Sequence, residues 1–207
     1  MGGAGMGGAG DRPRVALVVG SDSDLPLMKE AYDLLTAWGV GCRVLVASAH
    51  RTPDEVASFA RGARDRGFEV IIACAGLAAH LPGVIAAHTT LPVIGVPRAA
   101  GGLGGLDALL SIVQMPPGVP VASVGLDGAR NAALLAAAIL AVKDDGVRQR
   151  LESFRREQAA AVREKNARLA DLGMAPAGGE LPAGPGVGSP RGEAPGGSGV
   201  GLAGVMG

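Results

Sequence analysis

The stretch VALVVGSDSDLPLMKEAYDLLTAWGVGCRVLV, residues 15–46, indicates the fold of the chain. It begins with a short valine-rich run, Val15–Val19, which is typical of a buried strand. Apolar residues at helical spacing follow over Leu25–Trp38, and Gly39 supplies a natural helix end. A second apolar run, Cys42–Val46, completes a strand–helix–strand unit. Two strands joined by a helix in this way pair in parallel.

The same alternation continues along the chain. The capping box Thr52-Pro53-Asp54-Glu55 predicts a helix that starts there and ends near Arg66. The remaining predicted elements are the strands Val70–Ala75, Pro92–Val96 and Val119–Val124, and the helices Leu81–His88, Asp107–Val113, Asn131–Lys143 and 146–170. This order predicts an α/β fold: a three-layer αβα sandwich with a doubly wound, mainly parallel five-stranded sheet, flavodoxin-like or Rossmann-like, and a long C-terminal helix.

The glycines are concentrated at both ends of the chain. Residues 1–10 hold six of the 35 glycines and residues 174–207 hold twelve. Neither segment has an apolar period that could offset the entropy of ordering it. We therefore predict a disordered N-terminal tail at 1–11, a single catalytic domain at 12–172, and a disordered Gly/Pro/Ala-rich tail at 173–207.

Composition argues against several classes of protein. The formal net charge is zero and aromatic residues make up 2%, which disfavours nucleic-acid binding. No apolar run approaches the length of a membrane span, and no secretory signal is visible, so we expect a cytoplasmic protein. Cys42 and Cys74 lie in strand-like runs and are expected to be buried, and no Cys/His cluster has metal-ligand spacing.

In a parallel sheet, ligands bind in the loops that follow the strands. The first such loop, Gly20-Ser21-Asp22-Ser23-Asp24, precedes a helix and offers backbone N–H groups and hydroxyls to a phosphate. Asp24 has two interpretations, because it could cap the helix or accept hydrogen bonds from ribose hydroxyl groups.

The second loop, Ser48-Ala49-His50-Arg51, holds the leading candidate for chemistry. His50 lies on a loop at the ligand-binding edge, beside an arginine and a helix start. A histidine there can take and return a proton near neutral pH. Arg51 offers a planar fork for a phosphate or carboxylate group.

The loops after the third and fourth strands are rich in small residues. In the third, His80 could take part in the chemistry or could cap the next helix. The fourth, 99–105, is glycine-rich without the spacing of a dinucleotide fingerprint. A phospho-receiver domain would need an aspartate after the third strand, where Ala75 and Gly76 stand, so that binding module is excluded.

Taken together, the loops resemble the N5-carboxyaminoimidazole ribonucleotide mutase family, class I, of bacterial purine biosynthesis. The resemblance runs from about Arg14 to Arg168. It is carried by Gly20-Ser21-x-Ser23-Asp24, Ser48-Ala49-His50-Arg51-Thr52-Pro53, Ala75-Gly76-x-Ala78-Ala79-His80-Leu81-Pro82-Gly83, Gly95-Val96-Pro97 and Ser111-Ile112-Val113-Gln114-Met115-Pro116.

The resemblance implies a carboxyl migration without cofactor, metal or ATP. The carboxyl group moves from the exocyclic nitrogen of the aminoimidazole ring to carbon 4. In the family's mechanism, the histidine that matches His50 protonates the departing carbamate. Carbon dioxide is held and adds to carbon 4, and the same histidine then removes the ring proton.

The resemblance also assigns substrate-binding residues. Ser21, Asp24 and Arg51 would hold the ribose phosphate with support from Ser23 and Ser48. The ring and carbon dioxide would lie against Gly76, Ala78, Ala79, His80 and Leu81, and Ala49 would also contact the substrate. A homo-octamer is the usual assembly of the family. The chain departs from the family at Leu77, where many members have glycine, in the 99–105 loop, and in the short stretch 126–131.

Three rival functions stay open at this point. One is the class II reaction, which carboxylates aminoimidazole ribonucleotide directly with carbon dioxide. Another is a related carboxylase for a different ribonucleotide, such as a pyridinium nucleotide. The third is a nucleotide-binding module without catalytic activity.

Overall fold

The structure is a computed structural model that describes residues 12–174 and residue 177. The chain divides into two compact units, Met1–Ala159 and Ala160–Gly207. The sheet belongs to the first unit, whereas the described part of the second consists of the end of a long helix and a short 3-10 turn, Ala170–Leu172. The predicted tails lie almost entirely outside the described residues, and the predicted domain boundaries stay predictions.

Five strands alternate with helices, as the sequence predicts. The strands are β1 Val15–Val19, β2 Cys42–Val46, β3 Val70–Ala75, β4 Val93–Pro97 and β5 Ala122–Ser123. The helices are α1 Leu25–Ala37, α2 Pro53–Gly62, α3 Leu81–Ala87, α4 Leu106–Val113, α5 Ala129–Leu140 and α6 Asp145–Ala167.

The sheet is parallel throughout and has the order β2-β1-β3-β4-β5. Val15 of β1 is level with Cys42 of β2 and with Val70 of β3, so these three strands start together. Because β1 lies between β2 and β3, the chain reverses direction across the sheet at this point. Such a reversal opens a crevice at the carboxyl ends of the strands.

Two apolar cores lie on opposite faces of the sheet, because successive side chains of a strand point to opposite sides. Val15, Leu17 and Val19 pack on one face with α1, α5 and the start of α6. Ala16 and Val18 pack on the other face with α2, α3 and α4. This arrangement confirms the predicted three-layer sandwich. Cys42 and Cys74 are buried as predicted, and burial raises the pKa of each thiol to about 12.

The fifth strand is present, but its predicted bounds are wrong. Only Ala122–Ser123 pairs with β4, whereas the sequence favoured Val119–Val124. Pro120 has no N–H group to donate to a neighbouring strand, and a proline at the edge of a sheet shortens the pairing. Helix α2 also ends early, at Gly62, because the chain turns there and Gly67 adopts a left-handed conformation, φ +90°.

Candidate active site

The loops after β1, β2, β3 and β4 meet at the carboxyl edge of the sheet and enclose a pocket of about 500 Å³. All predicted site residues line this pocket except Ala79. The lining residues are Gly20, Ser21, Ser23, Asp24, Ser48, Ala49, His50, Arg51, Ala75, Gly76, Leu77, Ala78, His80, Leu81, Arg98 and Ala100.

The loop after β1 is held by hydrogen bonds among its own side chains. The Ser21 hydroxyl accepts from the backbone N–H of Ser23 at 3.3 Å and from the Ser23 hydroxyl at 3.0 Å. Ser21 therefore caps the short 3-10 turn Asp22–Asp24. The Asp24 side chain makes no capping hydrogen bond to α1; it lines the pocket, and its Oδ1 accepts from the Ser23 hydroxyl at 3.5 Å.

The loop after β2 closes on itself through Thr52. The Thr52 hydroxyl accepts from the backbone N–H of Ser48 at 3.0 Å and donates to the Ser48 carbonyl at 3.3 Å. It makes no capping bond to α2, so the predicted capping box is wrong: the same hydroxyl is used to shape the loop instead. The consequence is a tight turn that presents His50 and Arg51 at the edge of the pocket.

Arg51 joins the first two loops. Its Nη2 donates to the Gly20 carbonyl at 2.9 Å, and its backbone N–H donates to the Ser48 hydroxyl at 3.3 Å. The guanidinium group is thus fixed over the loop that follows β1. A positive charge beside the Ser21 and Ser23 hydroxyls is an arrangement suited to a phosphate group.

The two histidines of the pocket are in direct contact. His50 Nε2 lies 2.9 Å from His80 Nδ1, and the rings meet edge to face with centroids 4.9 Å apart. His80 occupies the N-cap position of α3 but makes no side-chain capping bond, so its ring nitrogen is engaged with His50 instead. One ring must donate and the other accept, which means that the pair can pass a proton to a bound molecule and recover it.

The loop after β3 brings the backbone close to the pocket. Gly76, Ala78 and Leu81 line it, whereas the methyl group of Ala79 is buried in the core beneath α3. Leu77 has a left-handed backbone, φ +55°, a conformation that glycine adopts without strain and leucine does not. Its side chain is 55% exposed and covers one side of the pocket.

Arg98, which the sequence did not identify, lies at the end of the pocket. Its Nη1 donates to Asp127 Oδ1 at 2.9 Å, and its Nε lies 3.7 Å from Asp24 Oδ1. Burial raises the pKa of Asp24, and the nearby Arg98 cation opposes that rise. The one signal in the sequence was its position directly after β4, at the same edge as the other site residues.

Residues 12–174 contain neither a metal-binding cluster nor a helix that could span a membrane. No group of three or more histidine, cysteine or acidic side chains is arranged there to hold a metal ion. In the same stretch, no helix combines the length and the apolar character needed to cross a membrane.

The chain matches a family model and has close relatives. The model described as AIR carboxylase matches residues 14–161. A protein of Pyrococcus horikoshii named N5-carboxyaminoimidazole ribonucleotide mutase is 52% identical over 163 residues, covering 79% of this chain and 92% of the relative. A Mycobacterium tuberculosis protein of the same name is 54% identical over 164 residues, covering 79% and 94%.

More distant matches include a plant protein and a solved structure. A Vigna aconitifolia protein named phosphoribosylaminoimidazole carboxylase, chloroplastic, is 49% identical over 155 residues, which are 75% of this chain and 28% of that protein. The crystal structure of Treponema denticola PurE superposes with a TM-score of 0.70 at 28% identity, covering 76% of this chain and 99% of that one. The family model spans the whole sheet and every loop of the pocket, and the chain belongs to the AIR carboxylase family.

Proposed function

We propose that the protein is an isomerase that converts N5-carboxyaminoimidazole ribonucleotide to 4-carboxy-5-aminoimidazole ribonucleotide in de novo purine biosynthesis, in the cytoplasm. The relatives that are more than half identical carry the mutase name. The observation that carries the proposal is the His50–His80 pair, 2.9 Å apart, in the same pocket as three serine hydroxyls and Arg51.

His50 acts first as an acid and then as a base. It gives a proton to the exocyclic nitrogen of the substrate as the bond from that nitrogen to the carboxyl carbon breaks, which releases carbon dioxide inside the pocket. Carbon dioxide then bonds to carbon 4, and His50 takes the proton that carbon 4 gives up. His50 gives one proton and recovers one, so the reaction needs no second acid, no cofactor, no metal and no ATP.

The other residues bind and orient the substrate. Arg51 and the hydroxyls of Ser21, Ser23 and Ser48 hold the phosphate, and Asp24 accepts hydrogen bonds from the ribose hydroxyl groups. Ala49, Gly76, Ala78 and Leu81 surround the ring, with Ala79 supporting them from the core. His80 holds the His50 ring in position through their hydrogen bond. Closure of the pocket around the bound substrate would keep carbon dioxide near carbon 4.

The proposal includes a homo-oligomer, an octamer by family resemblance. Support comes from large apolar side chains at the surface of α4, where Leu106 is 52% exposed and Val113 51% exposed, and from Val44 and Val46 on the edge strand β2. Apolar patches of this kind are typical of contacts between subunits. Light scattering of the purified protein measures the assembly directly.

Substrate preference separates the proposal from its nearest rival, direct carboxylation of aminoimidazole ribonucleotide. The plant relative is named as a carboxylase. Purified protein is given either the carbamate ribonucleotide or the unmodified aminoimidazole ribonucleotide with bicarbonate, each without ATP. We expect rapid formation of the 4-carboxy product from the carbamate. Good turnover of the unmodified ribonucleotide, with none of the carbamate, would contradict the proposal in favour of direct carboxylation.

A further inference from the structure

We propose that Arg98 is a positioning residue: held between Asp24 and Asp127, it keeps the Asp24 carboxylate ionised and directed into the pocket to receive the ribose hydroxyl groups. The inference rests on the proposed function for the identity of the ligand. It concerns a residue outside the set that the sequence identified.

Asp127 fixes Arg98 from behind. Asp127 Oδ1 accepts both from Arg98 Nη1 and from the backbone N–H of Ala99, each at 2.9 Å. The Asp127 backbone N–H donates to the Pro97 carbonyl at 2.9 Å, and its backbone is left-handed, φ +52°. The turn that begins α5 is therefore joined to the end of β4 at three points, and Arg98 has little freedom to swing away.

The other side of the Arg98 guanidinium faces Asp24. The Nε atom of Arg98 lies 3.7 Å from Asp24 Oδ1, and both residues line the pocket. Gly76 makes room for this arrangement: a Cβ atom at that position would lie 3.2 Å from Arg98 Cβ. The three loops after β1, β3 and β4 thus converge on one ion pair.

Arg98, together with local hydrogen bonds, favours the charged form of Asp24. Asp24 is 6% exposed, and burial without a cation favours the protonated carboxyl group. The other titratable groups that act on it do not help, because Asp127 is also acidic and the Cys74 thiol, with a pKa raised by burial to about 12, stays neutral. Arg98 is therefore the charge that keeps Asp24 able to accept two hydrogen bonds from a ribose.

A mutant cycle tests whether Arg98 acts through Asp24. Arg98→Met should raise the KM for the carbamate ribonucleotide at least about tenfold, which corresponds to 1.4 kcal/mol, with a much smaller change in kcat. Arg98→Lys should restore part of the loss. In an Asp24→Asn background, Arg98→Met should change KM little, because the charge it supports is gone. Arg148→Met, an exposed arginine of α6 with its own ion pairs, is the matched control and should leave KM unchanged.

A second measurement does not depend on turnover. Because burial raises the pKa of Asp24 above its ordinary 3.8, the folded state binds the proton more tightly than the unfolded state. The stability of the folded protein then falls as the pH rises from the pKa of Asp24 in the unfolded state to its pKa in the folded state. Removing the Arg98 cation should raise the pKa of Asp24 in the folded state further. In urea unfolding, Arg98→Met should therefore lose more stability than the wild type as the pH rises above 3.8, the ordinary pKa of Asp24, and Asp24→Asn/Arg98→Met should not.

The outcomes separate the two proposals. If the wild type converts the carbamate ribonucleotide but Arg98→Met has the same KM, the role of Arg98 is overturned and the function stands. If the wild type shows no turnover at all, the function is overturned. The urea experiment then decides on the Arg98–Asp24 pair alone, and an unchanged pH dependence in Arg98→Met would refute it.

Discussion

His50 is positioned by neighbours on two sides. The Thr52 hydroxyl and Ser48 shape its loop, and His80 contacts its ring at 2.9 Å. A residue that both gives and takes the transferred proton cannot be replaced by a side chain that does neither. In the proposed mechanism, the reactivity of the site therefore depends on this one imidazole more than on any other group of the pocket.

His50→Asn should retain ribonucleotide binding and lose at least roughly 100-fold in kcat, the lower end for a general acid or base. Asparagine keeps a polar group of similar size, so the loop should not rearrange. His88→Asn is the matched control, because His88 lies at the end of α3 and does not line the pocket. Near-normal turnover in His50→Asn would refute the proposed mechanism. Equal binding with no turnover in the wild type would indicate a nucleotide-binding module.

Leu77 carries a local strain that a glycine would not. A left-handed conformation costs an ordinary residue about 1–2 kcal/mol, and a side chain that is 55% exposed recovers only part of that through packing. Leu77→Gly should therefore leave the free energy of unfolding unchanged or raise it by up to about 1 kcal/mol, whereas Leu77→Val should lower it. Urea titration of both variants measures the difference, and a larger loss in Leu77→Gly than in Leu77→Val would show that packing dominates.

At the scale of the elements, β4 and α4 approach each other closely at Gly95. A Cβ atom added there would lie 2.4 Å from Ile112 Cγ2, inside the second core. Neither element can retreat easily, since β4 is paired with both β3 and β5. Small residues at this contact are required by the spacing of the layers.

Gly95→Ala should lower the free energy of unfolding by about 1–3 kcal/mol, the usual effect of overpacking a core. Thermal unfolding followed by circular dichroism measures this change. Gly102→Ala is the control, because no atom lies within 4 Å of the position its Cβ would take. A Tm for Gly95→Ala equal to that of Gly102→Ala would mean that the β4–α4 contact relaxes without cost.

The bounds of an element were predictable where neighbouring residues in the sequence determine them, and were not where contacts with other parts of the fold determine them. The bounds of β1, β2 and β3 follow from apolar runs that end at glycine or serine, and they are confirmed. The fifth strand was predicted too long because Pro120, inside the apolar run, has no N–H group to donate to β4. The capping box at Thr52 failed because a nearby donor, the Ser48 backbone N–H at 3.0 Å, binds the hydroxyl oxygen that would otherwise accept from α2.

At the scale of the whole molecule, the location of the pocket was predictable from the sequence, but the predicted list of its residues was incomplete. The carboxyl edge of a parallel sheet located the loops that hold His50, Arg51 and His80. Arg98 was missed because its partner Asp127 is 29 residues further along the chain and meets it only through a left-handed turn. Nothing in the local sequence of either residue indicates that contact.

Removal of residues 174–207 should leave kcat and KM for the carbamate ribonucleotide unchanged. All residues that line the pocket lie between Gly20 and Ala100, and their supports reach only to Asp127 and α5. Steady-state kinetics of the truncated and full chains provide the comparison. A truncation at residue 128, which also removes α5, is the contrasting variant and should not fold. Loss of activity in the shorter deletion would show that the C-terminal segment takes part in catalysis.

The position of the pocket within the first half of the chain has a consequence for synthesis. A ribosome releases Gly20–Ala100 well before it releases α5, whose buried alanines cover one face of the sheet against α1, β3 and β4. The nascent chain thus carries every pocket residue while that apolar face is still uncovered. We expect the half-made protein to need a chaperone until Leu140 has emerged, and the ligand to bind only after that point.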